Sequence, residues 1–144
     1  MSAVFMVGVD CSDCSNRAIE YAVNVASTSN SKLVVTHVIE WSAFSFSTVE
    51  ENSLRHKRRE EELERAHQEI IDPLVSKLQS QGLDVTGMVR HGHVAETLNR
   101  VARENNVTNL IVGRLGSSSL KSLILGSVGS NLVQIADCPV TVVP

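Results

Sequence analysis

Hydrophobic positions in this chain follow two rhythms. In "AVFMVGVD" (3–10) they are nearly continuous, as in a strand buried on both faces, and "KLVVTHVIE" (32–40) reads as a second strand. Between them Ala18, Ile19, Ala22, Val23 and Ala26 recur at the spacing of one helical face. Residues 52 to 80 are the most polar part of the chain and predict a long amphipathic helix with the stripe Leu63, Ala66, Ile70, Leu74 and Leu78. Pro73 cannot donate to residue 69, so it is expected to kink or interrupt that helix. On the wet side, Arg58 with Glu62 and Glu61 with Arg65 have the four-residue spacing of helical ion pairs.

"LDVTGMVR" (83–90) behaves differently: Leu83, Val85, Gly87 and Val89 alternate with Asp84, Thr86, Met88 and Arg90. Alternation implies one wetter face, and this strand is therefore expected at a sheet edge. Val94, Leu98, Val101 and Ala102 mark another helix, "NLIVG" (109–113) a short strand, 126–136 the last helix and "CPVTVV" (138–143) the last strand. Strands alternating with helical stripes predict an α/β fold, a parallel sheet covered by helices, in a single domain over 1–144.

Charge and cysteine usage narrow the classes. The basic run "RHKRR" (55–59) is answered by four acids in the next five residues, which makes it a solvated helix face. A net charge of -3 argues against binding nucleic acid by phosphate neutralisation. No apolar stretch approaches the ~20 residues of a membrane span. Three cysteines are too few for a disulfide framework. The N-terminal apolar run lacks a basic flank and reads as a strand, so the expected setting is cytoplasmic and reducing.

The most informative chemistry lies between "NLIVG" and the last helix: Gly113, Gly116, then Gly126 and Ser127. A strand ending in glycine lets the backbone approach a ligand closely. Gly126–Ser127 at a helix start offers unpaired N–H groups and the positive end of the helix dipole, an anion site. Ser117, Ser118, Ser119 and Ser127 add hydroxyls, and Arg114 and Lys121 add positive charge, a set that suits a polyphosphate. The spacing is neither a P-loop nor Gly-x-Gly-x-x-Gly. The competing reading of the same residues is a Gly/Ser surface loop before an ordinary helix cap.

G113-x2-G116-x9-G126-S127, followed by a helix and "CPVTVV", resembles the nucleotide-binding signature of the universal stress protein family; "VGVDCSDCSNRAI" and "THVIE" resemble that family's first strand and helix opening and its second strand. The resemblance implies an open, Rossmann-like five-stranded parallel sheet in the order 3-2-1-4-5 with helices on both faces, and the edge position read for 83–90 agrees with it. It implies Asp10 at the ribose, backbone groups of Val9 and Val38 beside the adenine, and Gly113, Gly116, Gly126, Ser127 and the Val128 N–H at the ribose and phosphates. Leu115 takes a loop position near the nucleotide where some relatives carry a polar or basic residue. The implied cofactor is ATP, with Mg²⁺ if the nucleotide is cleaved. The implied role is a regulatory ATP-binding protein, at most a weak ATPase, because no general base or catalytic carboxylate pair stands out. The final strand is implied to pair with its copy in a homodimer, with Val140 and Val142 at the contact. Two positions depart from the family pattern: Cys11, where glycine is frequent, and Val94, where proline is frequent.

Two other readings stay open. One is an interaction module that binds no nucleotide. The other is a redox switch through Cys11 and Cys14, placed by sequence at the mouth of the site, where a helix start favours a thiolate but Asp10 and Asp13 oppose it. His91 and His93 could join a metal but read as surface residues, and His37 reads as a satisfied core residue. A zinc site is disfavoured because no second Cys-x-x-Cys exists.

Overall fold

Strand β1 (Val4–Gly8) leads into helix α1 (Asp13–Ser29) and strand β2 (Lys32–Glu40). A long helical run follows: α2 (Val49–Ala66), a π-helical turn (His67–Ile71) and α3 (Asp72–Ser80). Then come β3 (Val85–Gly92), α4 (Val94–Glu104), β4 (Asn109–Gly113), α5 (Ser127–Ile135) and β5 (Val140–Val143). The computed structural model describes residues 2–10, 12–40, 49–115 and 126–144.

The five strands form one parallel sheet in the order β3-β2-β1-β4-β5. Side chains alternate across it, so each strand contributes to two cores. Val7, Val35, Val85, Val89 and Ile111 face α1, the π turn and α3, where Ala18, Ala22 and Ala26 let α1 lie close to the strands. Met6, Val34, Leu110 and Val112 face α4 and α5, meeting Leu98, Val101 and Leu132. Helices thus cover both faces, as the alternating pattern predicts. β3 lies at an edge, with Val85 and Val89 buried and Arg90 exposed. It runs on to Gly92 because backbone pairing with β2 continues through His91 and Gly92 after the apolar alternation has ended.

Pro73 acts as expected, by a route that the stripe does not reveal. Lacking an N–H, it cannot continue the ordinary ladder. The chain winds one wider turn ahead of it, and the Asp72 N–H donates to the His67 carbonyl. The extra residue in that turn rotates the stripe and brings Ile71 to 1% exposure. Ile71 and Val75 then press on Gly87, where an added Cβ would fall 2.2 Å and 2.8 Å from their methyl carbons. Gly87 is therefore a slot in β3 for the helical layer. The polar side of α2 also differs from expectation: Glu62 lies 3.6 Å from His91 instead of pairing with Arg58, and His91 also meets the Arg59 carbonyl at 3.1 Å. Burial decides this, since the His91 side chain is only 10% exposed and needs a polar partner.

Candidate functional site

After β1 the chain proceeds toward β2 and β3, and after β4 it turns the other way to β5. The connections diverge and leave a crevice at the carboxyl ends of β1 and β4, the usual ligand position in open α/β sheets. Here it is a cleft of about 850 Å³ that brings together Val9, Asp10, Val38, Gly113, Leu115, Gly126, Ser127 and Val128. Gly116, Cys11, Ser117 to Ser119 and Lys121 lie outside the described residues.

One wall is the start of α1. Ser12 is its N-cap and accepts from the Ser15 N–H at 3.0 Å. Asp10 Oδ1 accepts from both the N–H and the hydroxyl of Ser12, while the Asp10 N–H donates to Ser15 Oγ at 3.0 Å. Asp10 thus faces the cleft and serves the cap as well. Just beneath, the structure places a second demand on Gly113, which also lines the cleft. An added Cβ there would meet the carbonyl carbon, Cβ and oxygen of Cys14 at 2.8 to 2.9 Å. The missing side chain is required by the first turn of α1, packed against the end of β4, independently of any ligand. Cys14 is itself 7% exposed, beneath the site instead of at its mouth, with its Sγ 2.9 Å from Arg17 Nη2.

The opposite wall is the start of α5, and it is built differently. Gly126 is the N-cap, in extended geometry, and no side chain caps the helix. The Ser130 N–H donates to the Gly126 carbonyl at 2.9 Å. The amides of Ser127, Val128 and Gly129 precede it and have no acceptor within the helix. The Gly126 N–H donates to the Arg114 carbonyl at 2.9 Å, and the Arg114 N–H to the Val143 carbonyl at 2.7 Å, so the helix start is strapped to the ends of β4 and β5. At the far end of α5, Asn99 on α4 donates to the Ile135 carbonyl at 3.2 Å and to Asp137 Oδ2 at 3.3 Å. It also accepts from the Asp137 N–H at 3.1 Å.

Between the walls, the Val9 N–H donates to the Thr36 carbonyl at 2.9 Å. His37 Nδ1 lies 2.7 Å from the Val9 carbonyl, which can only accept, so this nitrogen carries the proton. With its N–H used in this way, Val9 is left to flank a ligand chiefly by packing. His37 is satisfied, as expected, but it lines the cleft and is only half-buried. His91 and His93 part company: His91 meets α2, whereas His93 lines the cleft just before α4. Among the described residues no three metal-ligating side chains converge.

The sequence reading also missed several lining residues: Thr36, Glu40, Glu96, Asn131 and Gln134. For the last two a signal existed, because they follow Ser127 by four and seven residues and so share its helical face. Thr36 is fully buried with a hydroxyl that has no hydrogen-bond partner, next to Gly8 in the sheet register. Its place in an apolar-looking run hid it.

The sequence model of the Universal stress protein family matches residues 1–144. A universal stress protein of Mycobacterium tuberculosis is 32% identical over 154 residues, covering 96% of this chain and 47% of that protein. The chain thus spans about half the length of the first curated relatives it matches. Universal stress protein YxiE of Bacillus subtilis is 28% identical, with 96% of each chain covered. Among solved structures, universal stress protein UspA from Lactobacillus plantarum superposes with a TM-score of 0.83 at 21% identity, covering 99% of this chain and 97% of that one. A universal stress protein in complex with cAMP matches at a TM-score of 0.62 and 24% identity, covering 99% and 96%. One from Archaeoglobus fulgidus in complex with dAMP matches at 0.62 and 16% identity, covering 100% and 98%.

Proposed function

The chain belongs to the universal stress protein family, and from that premise we propose that it is a regulatory protein that binds an adenine nucleotide, ATP, in the cleft between β1 and β4. The observation that carries the reading is the uncapped start of α5. Its first-turn amides stand at the switch-point crevice with no acceptor in the helix. The phosphates go to Gly126, Ser127 and the Val128 amide, with Leu115 and Gly116 in the adjoining loop. The ribose goes to Asp10, and the adenine lies between Val9 and Val38. The cAMP and dAMP held by two structural neighbours support the adenine-nucleotide class. Mg²⁺, where it accompanies the nucleotide, is held by the phosphate oxygens. The activity is binding, with hydrolysis slow or absent.

The test is the nucleotide content of purified protein, denatured and resolved by anion-exchange chromatography. Wild type is expected to release ATP or ADP, and a Gly126→Val/Ser127→Val variant none. A wild type that is empty and also fails to bind added ATP refutes the reading. The interaction-module alternative would then stand.

For assembly, the reading is a homodimer through β5, which pairs with β4 on one side and forms the sheet edge on the other. Val140 and Val142 are half-buried against the α5-side core and are the proposed contact. Val142→Asp is expected to elute as a monomer on a sizing column. An unchanged dimer would refute this placement. The setting proposed is the cytoplasm; among the described residues no helix is long and apolar enough to cross a membrane.

A further inference from the structure

We propose that the cleft has a second compartment, between α4 and α5, that takes a sugar carried on the terminal phosphate of the nucleotide, so that the ligand class it fits is an ADP-sugar. The proposal rests on the nucleotide reading above and adds a subsite that the mononucleotide leaves unused.

Three observations carry it. The mononucleotide uses only the first turn of α5, yet the wall of the same cleft continues through Asn131, Gln134 and Ile135. From Ser127 to Gln134 the helix advances about 10 Å, room for one sugar ring beyond a phosphate. The facing wall is the start of α4, where the N-cap His93 and Glu96 stand three residues apart and line the cleft as well. The compartment also has a closed end. Asn99, one turn beyond Glu96, donates to the Ile135 carbonyl at 3.2 Å and ties the two helices together there.

The lining chemistry names the occupant. Glu96 is a carboxylate and only accepts, whereas the Asn131 amide both donates and accepts. Both side chains are exposed at the cleft, and among the described residues neither has a hydrogen-bond partner. Gln134 Nε2 donates to the Ser130 carbonyl at 3.1 Å, which holds the side chain and leaves its Oε1 and second N–H for a ligand. Neighbouring sugar hydroxyls donate and accept at once, so they suit a carboxylate set beside two amides. A further phosphate is opposed by the charge of Glu96. An apolar tail would leave these polar groups unpaired. Ile135, 41% exposed, supplies an apolar patch for the C–H face of the ring.

The experiment is isothermal titration of the full chain, emptied of endogenous ligand, with ADP and with ADP-ribose at fixed ionic strength. Two or three added hydrogen bonds, one to a charged group, are expected to make wild type bind ADP-ribose roughly tenfold more tightly than ADP. Asn131→Leu/Gln134→Leu is expected to bring the two ligands to equal affinity and to leave ADP binding unchanged. Glu96→Ala, on the other helix, should cut the preference about threefold. A preference that persists in both variants overturns the proposal. So does a parallel loss of ADP and ADP-ribose affinity, which would mean that these side chains support the helices and not the ligand. Wild type that binds ADP without preferring ADP-ribose overturns it and spares the cleft reading. Wild type that binds neither overturns the reading beneath it.

Discussion

Helices α1 and α5 both begin at the carboxyl end of the sheet and both border the cleft, yet their first turns are finished in opposite ways. At α1 the chain closes its own helix end: Ser12 caps it, and Asp10 and Ser15 lock Ser12 in place. At α5 the cap is Gly126, with no side chain to give. The two are also anchored differently. α1 is held at its start, where Cys14 packs on Gly113, whereas α5 is pinned at its far end by Asn99 as well as strapped at Gly126. A helix start that completes itself contributes stability; one left incomplete beside a cleft is available to an anion.

Four variants would break or sharpen that contrast. The largest effect belongs to Gly113→Val, whose Cβ would overlap the first turn of α1. It should cost about 3 kcal/mol in urea unfolding of the ligand-free protein. Stability near wild type would mean that this glycine serves the ligand alone. Asn99→Leu removes the hydrogen bonds at the far end of α5 and strands the Asp137 N–H, for about 2 kcal/mol by the same measurement. Ser12→Ala removes the cap of α1 and should lower stability by about 1 kcal/mol with nucleotide affinity nearly unchanged. If affinity fell instead, the Ser12 hydroxyl would be holding Asp10 in place for the ribose as well as capping α1. Gly126→Asp supplies the cap that α5 lacks. A rise of about 0.3 kcal/mol in stability is expected, together with loss of the nucleotide, because the new carboxylate occupies the amides. A stable variant that still retains nucleotide would show that the α5 start is no anion site.

Much of this was legible in the residues. Continuous apolar runs marked the strands, alternation placed 83–90 at an edge, and the glycine spacing located the end of β4 and the start of α5, because these signals depend on local period and on backbone freedom. Asn131 and Gln134 were within reach through their helical spacing from Ser127. Other features were not readable in this way. The partner of His91 depended on how α2 settles over β3. The burial of Ile71 depended on a wide turn ahead of Pro73.

The residue pattern by itself determined the fold class, the order of elements along the chain and the places where backbone could stand bare. Only the tertiary structure decided what each bare position faces. Gly87 meets Ile71 and Val75, Gly113 meets Cys14, and Gly126 opens onto the cleft. The physical reason is that a glycine in sequence records only the absence of a side chain. Whether a helix, a neighbouring side chain or a ligand fills that space depends on segments remote along the chain, brought together when the sheet and its two helical layers pack.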